Sequence, residues 1–121
     1  MEKVALTEAF ATFDEQWSPR VAGELNGQAV KLAKVEGEFV WHQHDDADEL
    51  FFVHDGALTI ELRDEPDVHL DAGEFVVVPR GVEHRPVADE EAQILLFEPS
   101  GTKNTGNVES ELTQTEEKRL E

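Results

Sequence analysis

Turn residues interrupt this chain at short, nearly regular intervals between residues 19 and 99, and brief runs rich in Val, Ile, Leu and Phe lie between them. Many short apolar runs without intervening helical segments are typical of an antiparallel sandwich or barrel, and not of a parallel α/β sheet. The strongest single signal is Asn26-Gly27, a favoured dipeptide for a two-residue hairpin turn. The sequence therefore predicts an all-β fold. The other turn signals are Glu36-Gly37, Asp45 to Asp48, Asp55-Gly56, Asp64 to Asp67, Asp71 to Gly73, Pro79 to Gly81 and Asp89 to Glu91.

The two ends of the chain have a different character. Near the amino terminus, apolar residues spaced by four, three and four positions predict an amphipathic helix that Thr7 could cap. After Pro99 the sequence becomes a polar loop, followed by an acidic end at residues 111–120 that could form a short helix. We expect a helical segment at 1–18 that packs on a β-domain at 19–99, and an irregular or short helical tail at 100–121. The apolar stripe of the first segment consists of Leu6, Phe10, Phe13 and Trp17.

The composition excludes several classes of function. With 28 acidic and 10 basic residues the formal net charge is −18, and nucleic acid is not an expected partner because phosphate recognition needs a basic face. Such a surface favours solubility, or work in high salt, where self-repulsion is screened. Because the chain has no cysteine, any metal must bind to nitrogen and oxygen. No long apolar run and no secretory signal are evident, so we expect a cytoplasmic protein without a membrane partner.

Two of the five histidines, His42 and His44, alternate within a run that is typical of a strand. Residues two apart in a strand share a face and lie about 7 Å apart along the chain, so both imidazoles can point inward together. The acidic turn at residues 45–48 then reverses the chain, and Glu49 opens the next strand. An antiparallel return brings that carboxylate back to the two histidines.

His84 is the natural fourth member of this set, because it follows a strand-like run and the tight turn Pro79-Arg80-Gly81. The same alternation sends His54 and His69 away from the apolar faces of their strands, so we expect them to face outward or to pack. Three neutral imidazoles and one carboxylate suit a divalent transition metal. The candidate metal ligands are His42, His44, Glu49 and His84.

The candidate ligands and nearby glycines together resemble the two motifs of the cupin superfamily. The first motif has a glycine, a histidine pair, a glutamate and a second glycine, here Gly37, His42, His44, Glu49 and Gly56. The second has a glycine, a proline, a glycine and a histidine, here Gly73, Pro79, Gly81 and His84. Two positions depart from the pattern, since Gly37 is one residue closer to His42 than usual and Ala88 replaces a common asparagine. A subgroup of small uncharacterised cupins is similar in its Trp-His pair and Asn-Thr-Gly tail, here Trp41-His42 and Asn104-Thr105-Gly106.

The resemblance implies a double-stranded β-helix, or jelly-roll barrel, that holds one divalent metal ion on the four candidate ligands. The ion would be Fe, Mn, Ni, Co, Cu or Zn. Similar cupins include dioxygenases, isomerases and lyases, so the chain is expected to be either a metal-dependent enzyme or a non-catalytic module that binds a small ligand or metal. A scaffold with an adventitious metal is a third interpretation, because the fold alone does not choose a function.

The expected pocket is mostly apolar, which favours a small and partly apolar ligand. Arg80 and Arg85 are close in sequence to a candidate ligand and could bind a carboxylate or phosphate, or be ordinary surface residues. Phe39 and Trp41 lie opposite His42 in the strand alternation and, with the apolar helix stripe, predict a homodimer. The expected pocket lining is Val40, Phe51, Val53 and one face of residues 75–78.

Overall fold

The computed structural model describes residues 1–120 of the 121-residue chain. One short helix precedes an eight-stranded sheet, in agreement with the predicted all-β class. No helix within the described residues is long and apolar enough to cross a membrane. The elements are α1 (Leu6–Phe10), β1 (Arg20–Leu25), β2 (Gln28–Glu38), β3 (Glu49–Asp55), β4 (Ala57–Leu62), β5 (Val68–Asp71), β6 (Phe75–Val78), β7 (His84–Pro99) and β8 (Lys118–Arg119).

Two long antiparallel strands, β2 and β7, lie at the centre of the sheet. They pair along most of their length, from Gln28 opposite Pro99 to Glu38 opposite Val87. On its other side, the first half of β7 pairs with β4 and the second half pairs with β3. β7 therefore runs through both layers of a jelly roll, one layer containing β5 and β4 and the other containing β6 and β3.

The hairpin between β1 and β2 turns at Asn26 and Gly27, as predicted. The two residues have φ values of 53° and 79°, and Leu25 pairs with Gln28 across the turn. Asparagine tolerates this left-handed region better than most residues, and glycine enters it without a steric penalty. The turn thereby sets the register in which β2 presents its side chains to β7.

Side chains between the two layers form the main hydrophobic core. On β3, Phe51 and Val53 are buried while Leu50 and Phe52 are half-buried. Burial therefore alternates along β3, as expected for a strand that packs one face on the core. Glu49 shares the buried face with Phe51 and is only 4% exposed, so a carboxylate lies at one end of an apolar core.

The N-terminal helix is shorter than its apolar spacing predicts. Helix α1 ends at Phe10, and Phe13 follows it in an irregular stretch. Ala5 occupies the N-cap position without a side-chain cap, so the expected capping by Thr7 is wrong. Phe10 and Phe13 nevertheless pack together against Leu32 on the outer face of the sheet.

Trp17 does not continue the N-terminal helix, because its backbone and side chain form hydrogen bonds with β2. Its backbone N–H donates to the carbonyl of Lys34 at 2.9 Å, and its indole Nε1 donates to the carbonyl of Glu36 at 3.0 Å. These bonds hold Trp17 at a φ of 56° and place its ring in the main core. The predicted continuous stripe is therefore divided between two apolar clusters.

The tail contains no helix within the described residues, and its last element is the short strand β8, in which Lys118 pairs in parallel with Arg20 of β1. The helical alternative for residues 111–120 is therefore wrong. The Ser110 N–H donates to Oγ1 of Thr113 at 2.9 Å, and the Leu112 N–H donates to Oγ of Ser110 at 3.0 Å. Such local side-chain bonds compete with helix formation.

Candidate metal centre

The two histidines of the first motif lie on the connection between β2 and β3, outside the main strand ladders. His42 forms an isolated antiparallel bridge with His84, the first residue of β7. The His42 N–H donates to the carbonyl of His84 at 3.0 Å, and the His84 N–H donates back at 2.9 Å. This reciprocal pair places the second-motif histidine directly beside the first-motif pair.

The structure brings all four candidate ligands together. One ligand atom from each of the four side chains lies within 4.8 Å of the others, and all four residues are buried. Nε2 of His44 is 3.3 Å from Oε1 of Glu49, and Nε2 of His84 is 3.5 Å from the same oxygen. Four side chains of this kind at this separation form a cluster that could bind a metal ion. The cluster consists of His42, His44, Glu49 and His84.

Backbone carbonyls orient two of the imidazoles. Nδ1 of His42 donates to the carbonyl of Val40 at 2.9 Å, and Nδ1 of His84 donates to the carbonyl of Val82, also at 2.9 Å. A proton fixed on Nδ1 leaves the lone pair of a neutral ring on Nε2, which is how outer contacts usually prepare a metal-ligating histidine.

Three buried polar atoms of the cluster have no hydrogen-bond partner among the described residues. They are Nε2 of His44, Nε2 of His84 and Oε1 of Glu49. A buried polar atom without a partner costs about 1–3 kcal/mol, and native structures keep few of them. A single cation between these atoms would satisfy all three, so the residues present fit a metal ion.

The electrostatics of the site agree with this donor set. Burial, reinforced by the neighbouring His84, lowers the pKa of His42 to about 4, so this imidazole is neutral at pH 7. Although burial alone would raise the pKa of Glu49, its contacts with Glu98, His44 and His84 hold that pKa well below its usual range. A neutral imidazole and an ionised carboxylate are the forms that bind metal.

Glu98 is a site residue that the sequence analysis missed. It lies near the end of β7, is 2% exposed and contacts the carboxyl group of Glu49. Its Oε2 accepts a bond from Nζ of the buried Lys31 at 2.8 Å. Burial and the contact with Glu49 raise the pKa of Glu98 well above its usual range, despite the opposing effect of Lys31. The available signal was the inward alternation of Ile94, Leu96 and Glu98 along β7.

A small cavity of about 40 Å³ adjoins His42 and Glu49. At roughly 10–15 Å³ per water, this volume has room for about three water molecules. Its polar wall is formed by Lys31, Glu98 and Asn104, in addition to the two cluster residues. The apolar lining consists of Trp17, Pro19, Ala33, Val35, Phe39, Phe51, Pro86, Ile94 and Leu96.

The cavity lies on the β2 and β7 side of the cluster, so most of the expected lining is wrong. Of the residues expected to line it, only Phe51 does so. Val53 is fully buried in the core and Val40 packs against it. On β6 the side chains of Phe75 and Val77 point outward and are 62% and 48% exposed, because their partner residues on β3 occupy the outer face.

Neither arginine near the second motif reaches the cavity. The Arg80 side chain is 64% exposed and pairs with Asp48. Arg85 pairs with Glu61 at 2.7 Å and Glu38 at 3.3 Å. Both arginines therefore have the surface role that was one of the two expectations.

The remaining two histidines lie outside the cluster. His54 stacks on Phe10 of the N-terminal helix, with ring centroids 5.4 Å apart. His69 is exposed and its Nε2 is 3.0 Å from Asp71. These positions agree with the outward-facing or packing roles that strand alternation predicts.

The two aromatic residues expected on the outer face have different environments. Phe39 is buried, stacks on Trp17 at 4.7 Å between centroids and meets His42 edge-on at 5.3 Å. Trp41 is half-buried, with the Arg63 guanidinium 3.8 Å above its ring. Phe39 therefore belongs to the site and not to an outer surface, because the connection after β2 no longer follows strict strand alternation.

A jelly-roll sheet with a buried cluster of three histidines and one glutamate defines a candidate metal-binding protein of the cupin class. The cupin domain model matches residues 29–98, more than half of the chain, and the chain belongs to the cupin family. The matched region contains all four cluster residues, Lys31 and Glu98, and it ends before the C-terminal tail.

Solved and curated proteins agree with this family. A cupin-2 domain protein from Shewanella frigidimarina NCIMB 400 is 50% identical, covering 79% of this chain and 93% of that one, with a TM-score of 0.77. A Neisseria meningitidis protein is 29% identical, covering 82% of this chain and 100% of that one, with a TM-score of 0.75. The uncharacterized protein YdbB of Bacillus subtilis strain 168 is 42% identical over 62 residues, 51% of this chain and 55% of YdbB. The match thus spans about half the length of YdbB.

Proposed function

We propose that the protein binds one divalent transition metal ion on its buried cluster, and that a small organic molecule binds at positions of the ion that the protein leaves open. The ligands would be His42, His44, Glu49 and His84. The observation that supports this is the group of three buried, unpartnered atoms on His44, Glu49 and His84. A cation between these three atoms would give each of them a partner and would explain why they lie close together.

The donor set limits the class of ion. Three imidazole nitrogens and one carboxylate oxygen suit Fe, Mn, Ni, Co, Cu or Zn, whereas Mg and Ca prefer oxygen donors. When bound, such an ion supplies Lewis-acid polarisation of an oxygen atom on the small molecule. The protein contributes the neutral imidazoles, the ionised Glu49 and a site from which bulk water is largely excluded.

The cavity beside Glu49 supports a small, partly apolar ligand. Trp17 and Phe39 form a stacked aromatic wall on one side, and the Lys31–Glu98 pair forms a polar end. Because Lys31 is already paired with carboxylates, no free cation in this lining is available to hold an acidic ligand. We therefore expect a neutral molecule with few polar atoms.

Two functions remain compatible with this site. One is a metal-dependent enzyme of the dioxygenase, isomerase or lyase type. The other is a non-catalytic module that binds a small ligand or metal. The cavity of about 40 Å³ limits the size of the bound molecule in both cases, because few atoms fit without movement of the wall. Turnover of a small neutral compound by metal-loaded protein would support the enzyme, and saturable binding without turnover would support the module.

Metal content tests the site directly. Protein purified without chelators or a nickel column is expected to carry about one transition metal per chain, and His42→Ala and His84→Ala are expected to carry far less. The matched control is His69→Ala, which removes an exposed histidine outside the cluster. Full metal loading in both ligand variants would contradict the assignment.

We also propose that the protein is a homodimer, through an outer sheet face different from the one that the sequence suggested. Two cross-strand rows of apolar residues run from β6 across β3 to β7, and the first of them continues to β2. They contain no charged side chain, whereas the whole chain has a net charge of −18. A second copy offers the same uncharged face and keeps the acidic surfaces apart. The rows are Val77, Leu50, Phe97 and Val30, and Phe75, Phe52 and Leu95, and the second row ends there because Leu32, opposite Leu95 on β2, is fully buried under Phe10 and Phe13.

A further inference from the structure

The tail after β7 returns to the connection that holds the two first-motif histidines. Gln43 lies between His42 and His44, and both of its backbone polar groups bond to Asn107 of the tail. The Gln43 N–H donates to Oδ1 of Asn107 at 2.9 Å, and the Asn107 N–H donates to the carbonyl of Gln43 at 3.0 Å. The tail thus binds the one residue that separates two candidate ligands.

Gly106 brings the tail backbone into close contact with the same connection. A Cβ atom at this position would lie 2.9 Å from the carbonyl carbon of Gln43, closer still to its oxygen, and 3.2 Å from Cδ2 of His42. Gly106 also has a φ of 56°, which side chains with a Cβ rarely adopt. Any other residue here would have to push the histidine connection away.

The tail segment is itself fixed by internal hydrogen bonds. Nδ2 of Asn104 donates to the carbonyl of Leu112 at 2.8 Å, and Oδ1 of Asn104 accepts from the Gln114 N–H at 2.9 Å. The Thr105 hydroxyl is buried and donates to the carbonyl of Val108 at 2.8 Å. The contacts with Gln43 therefore come from an ordered support.

We propose that Gly106 and Asn107 are positioning residues of the metal centre, which hold the Gln43 backbone and thereby set the separation of the His42 and His44 imidazoles. Other backbone bonds hold the connection on either side of Gln43: His42 bridges to His84, and the His44 carbonyl accepts from the Gly81 N–H at 2.9 Å. The two bonds to Asn107 are the backbone contacts that hold Gln43 itself. The inference rests on the proposed metal site and assigns a role to residues beyond the matched region 29–98.

Titration with Co²⁺ alone, followed by its visible absorption spectrum, tests this role in the full chain. Asn107→Leu removes the acceptor for the Gln43 N–H, and Gly106→Ala forces the connection to move. Each is expected to weaken Co²⁺ binding about tenfold to hundredfold, the usual effect of losing an outer contact to a metal ligand, and to change the absorption bands. Asn107→Asp keeps Oδ1 and is expected to restore both affinity and spectrum.

The matched control is Gly101→Ala, in the same tail. Gly101 also has a positive φ, of 83°, but a Cβ there would meet nothing within 4 Å. It is expected to lower the melting temperature of the metal-free protein without changing the Co²⁺ spectrum. If Gly106→Ala does not fold, the Asn107→Leu and Asn107→Asp pair still decides the question.

The outcomes separate the two proposals. Tight Co²⁺ binding by wild type, with unchanged affinity and spectrum in Asn107→Leu, overturns the positioning role and leaves the metal site standing. Absence of Co²⁺ binding by wild type overturns the metal site itself, and the positioning role with it. Weaker Co²⁺ binding by Asn107→Leu, together with wild-type affinity and spectrum in Asn107→Asp, supports both the metal site and the positioning role.

Discussion

Lys31 and Glu98 form a buried ion pair one contact away from the candidate metal centre. Nζ of Lys31 is 2.8 Å from Oε2 of Glu98, and the two side chains are only 4% and 2% exposed. Lys31 also pairs with Glu117 of the tail at 3.0 Å. The pair therefore links the tail to the carboxyl group that contacts Glu49.

Removal of Lys31 alone is expected to be destabilising, because it leaves a buried oxygen of Glu98 without its donor. The pKa of Glu98 is already raised, so this carboxyl can take up a proton in the variant, and Lys31→Met should lower the free energy of unfolding by about 1–3 kcal/mol, the cost of an unsatisfied buried polar group. The double variant Lys31→Met/Glu98→Leu should recover much of that loss. Urea denaturation of metal-free protein measures both. Arg80→Met, which removes an exposed partner of Asp48, is the control and should cost less than about 1 kcal/mol. Equal losses of unfolding free energy in Lys31→Met and Arg80→Met would contradict this view of the buried pair.

Acid should destabilise the metal-free protein partly through His42. Burial, with a contribution from His84, lowers its pKa from 6.5 to about 4 in the folded state. Between these values the unfolded chain binds the proton and the folded chain does not, so this contribution to stability is present above pH 6.5 and is lost as the pH falls towards 4. The expected loss is about 3 kcal/mol.

A difference measurement isolates this effect from the other titrating groups. The unfolding free energies of wild type and His42→Gln are measured in urea with a chelator between pH 7.5 and pH 4. Wild type should lose stability relative to His42→Gln across this interval, whereas His69→Gln, at an exposed site, should follow wild type. Parallel curves for wild type and His42→Gln would show that His42 does not titrate in this way.

Strand periodicity predicts only part of the cluster, because His42 and His44 lie on a connection with a single isolated bridge and not in the strand that their alternation indicates. Alternation along β3 places Glu49 with the buried Phe51, because a period of two assigns each residue to a face without reference to the rest of the fold. The same rule, applied to β7 beyond Ile94 and Leu96, would have identified Glu98 as an inward carboxylate. Local patterns therefore contain the two carboxylates of the site.

The cavity wall could not be predicted in this way. Trp17 reaches the core after an irregular segment with a positive φ, and Asn104 arrives from a tail that has no regular period. Neither placement follows from a periodic pattern, because hydrogen bonds outside the regular strand ladders hold Trp17 to β2 and Asn104 within the tail. The expected lining by Val40, Val53 and one face of residues 75–78 is therefore wrong, whereas Phe51 does line the cavity.

Metal loading should raise thermal stability through the cluster. At a free Co²⁺ or Zn²⁺ concentration of about 100 times the dissociation constant, binding to the folded state alone contributes about 2.7 kcal/mol. The melting temperature measured by circular dichroism should rise on addition of the ion and fall again with a chelator. The His84→Ala variant should show no such rise, since it lacks one of the four ligands, whereas His54→Ala should respond as wild type does.

Self-association should depend on the outer rows of apolar residues and on salt. Phe75→Glu places a negative charge on a side chain that is 62% exposed, directly beside Phe52 on β3, and two copies would then bring like charges together. Sedimentation should show a dimer for wild type, strengthened by salt that screens the net charge of −18, and a monomer for Phe75→Glu. Leu25→Glu adds the same charge at an exposed apolar residue outside both rows and should remain dimeric. A monomeric wild type at high salt, or dissociation of Leu25→Glu to the same extent as Phe75→Glu, would exclude this face as the interface.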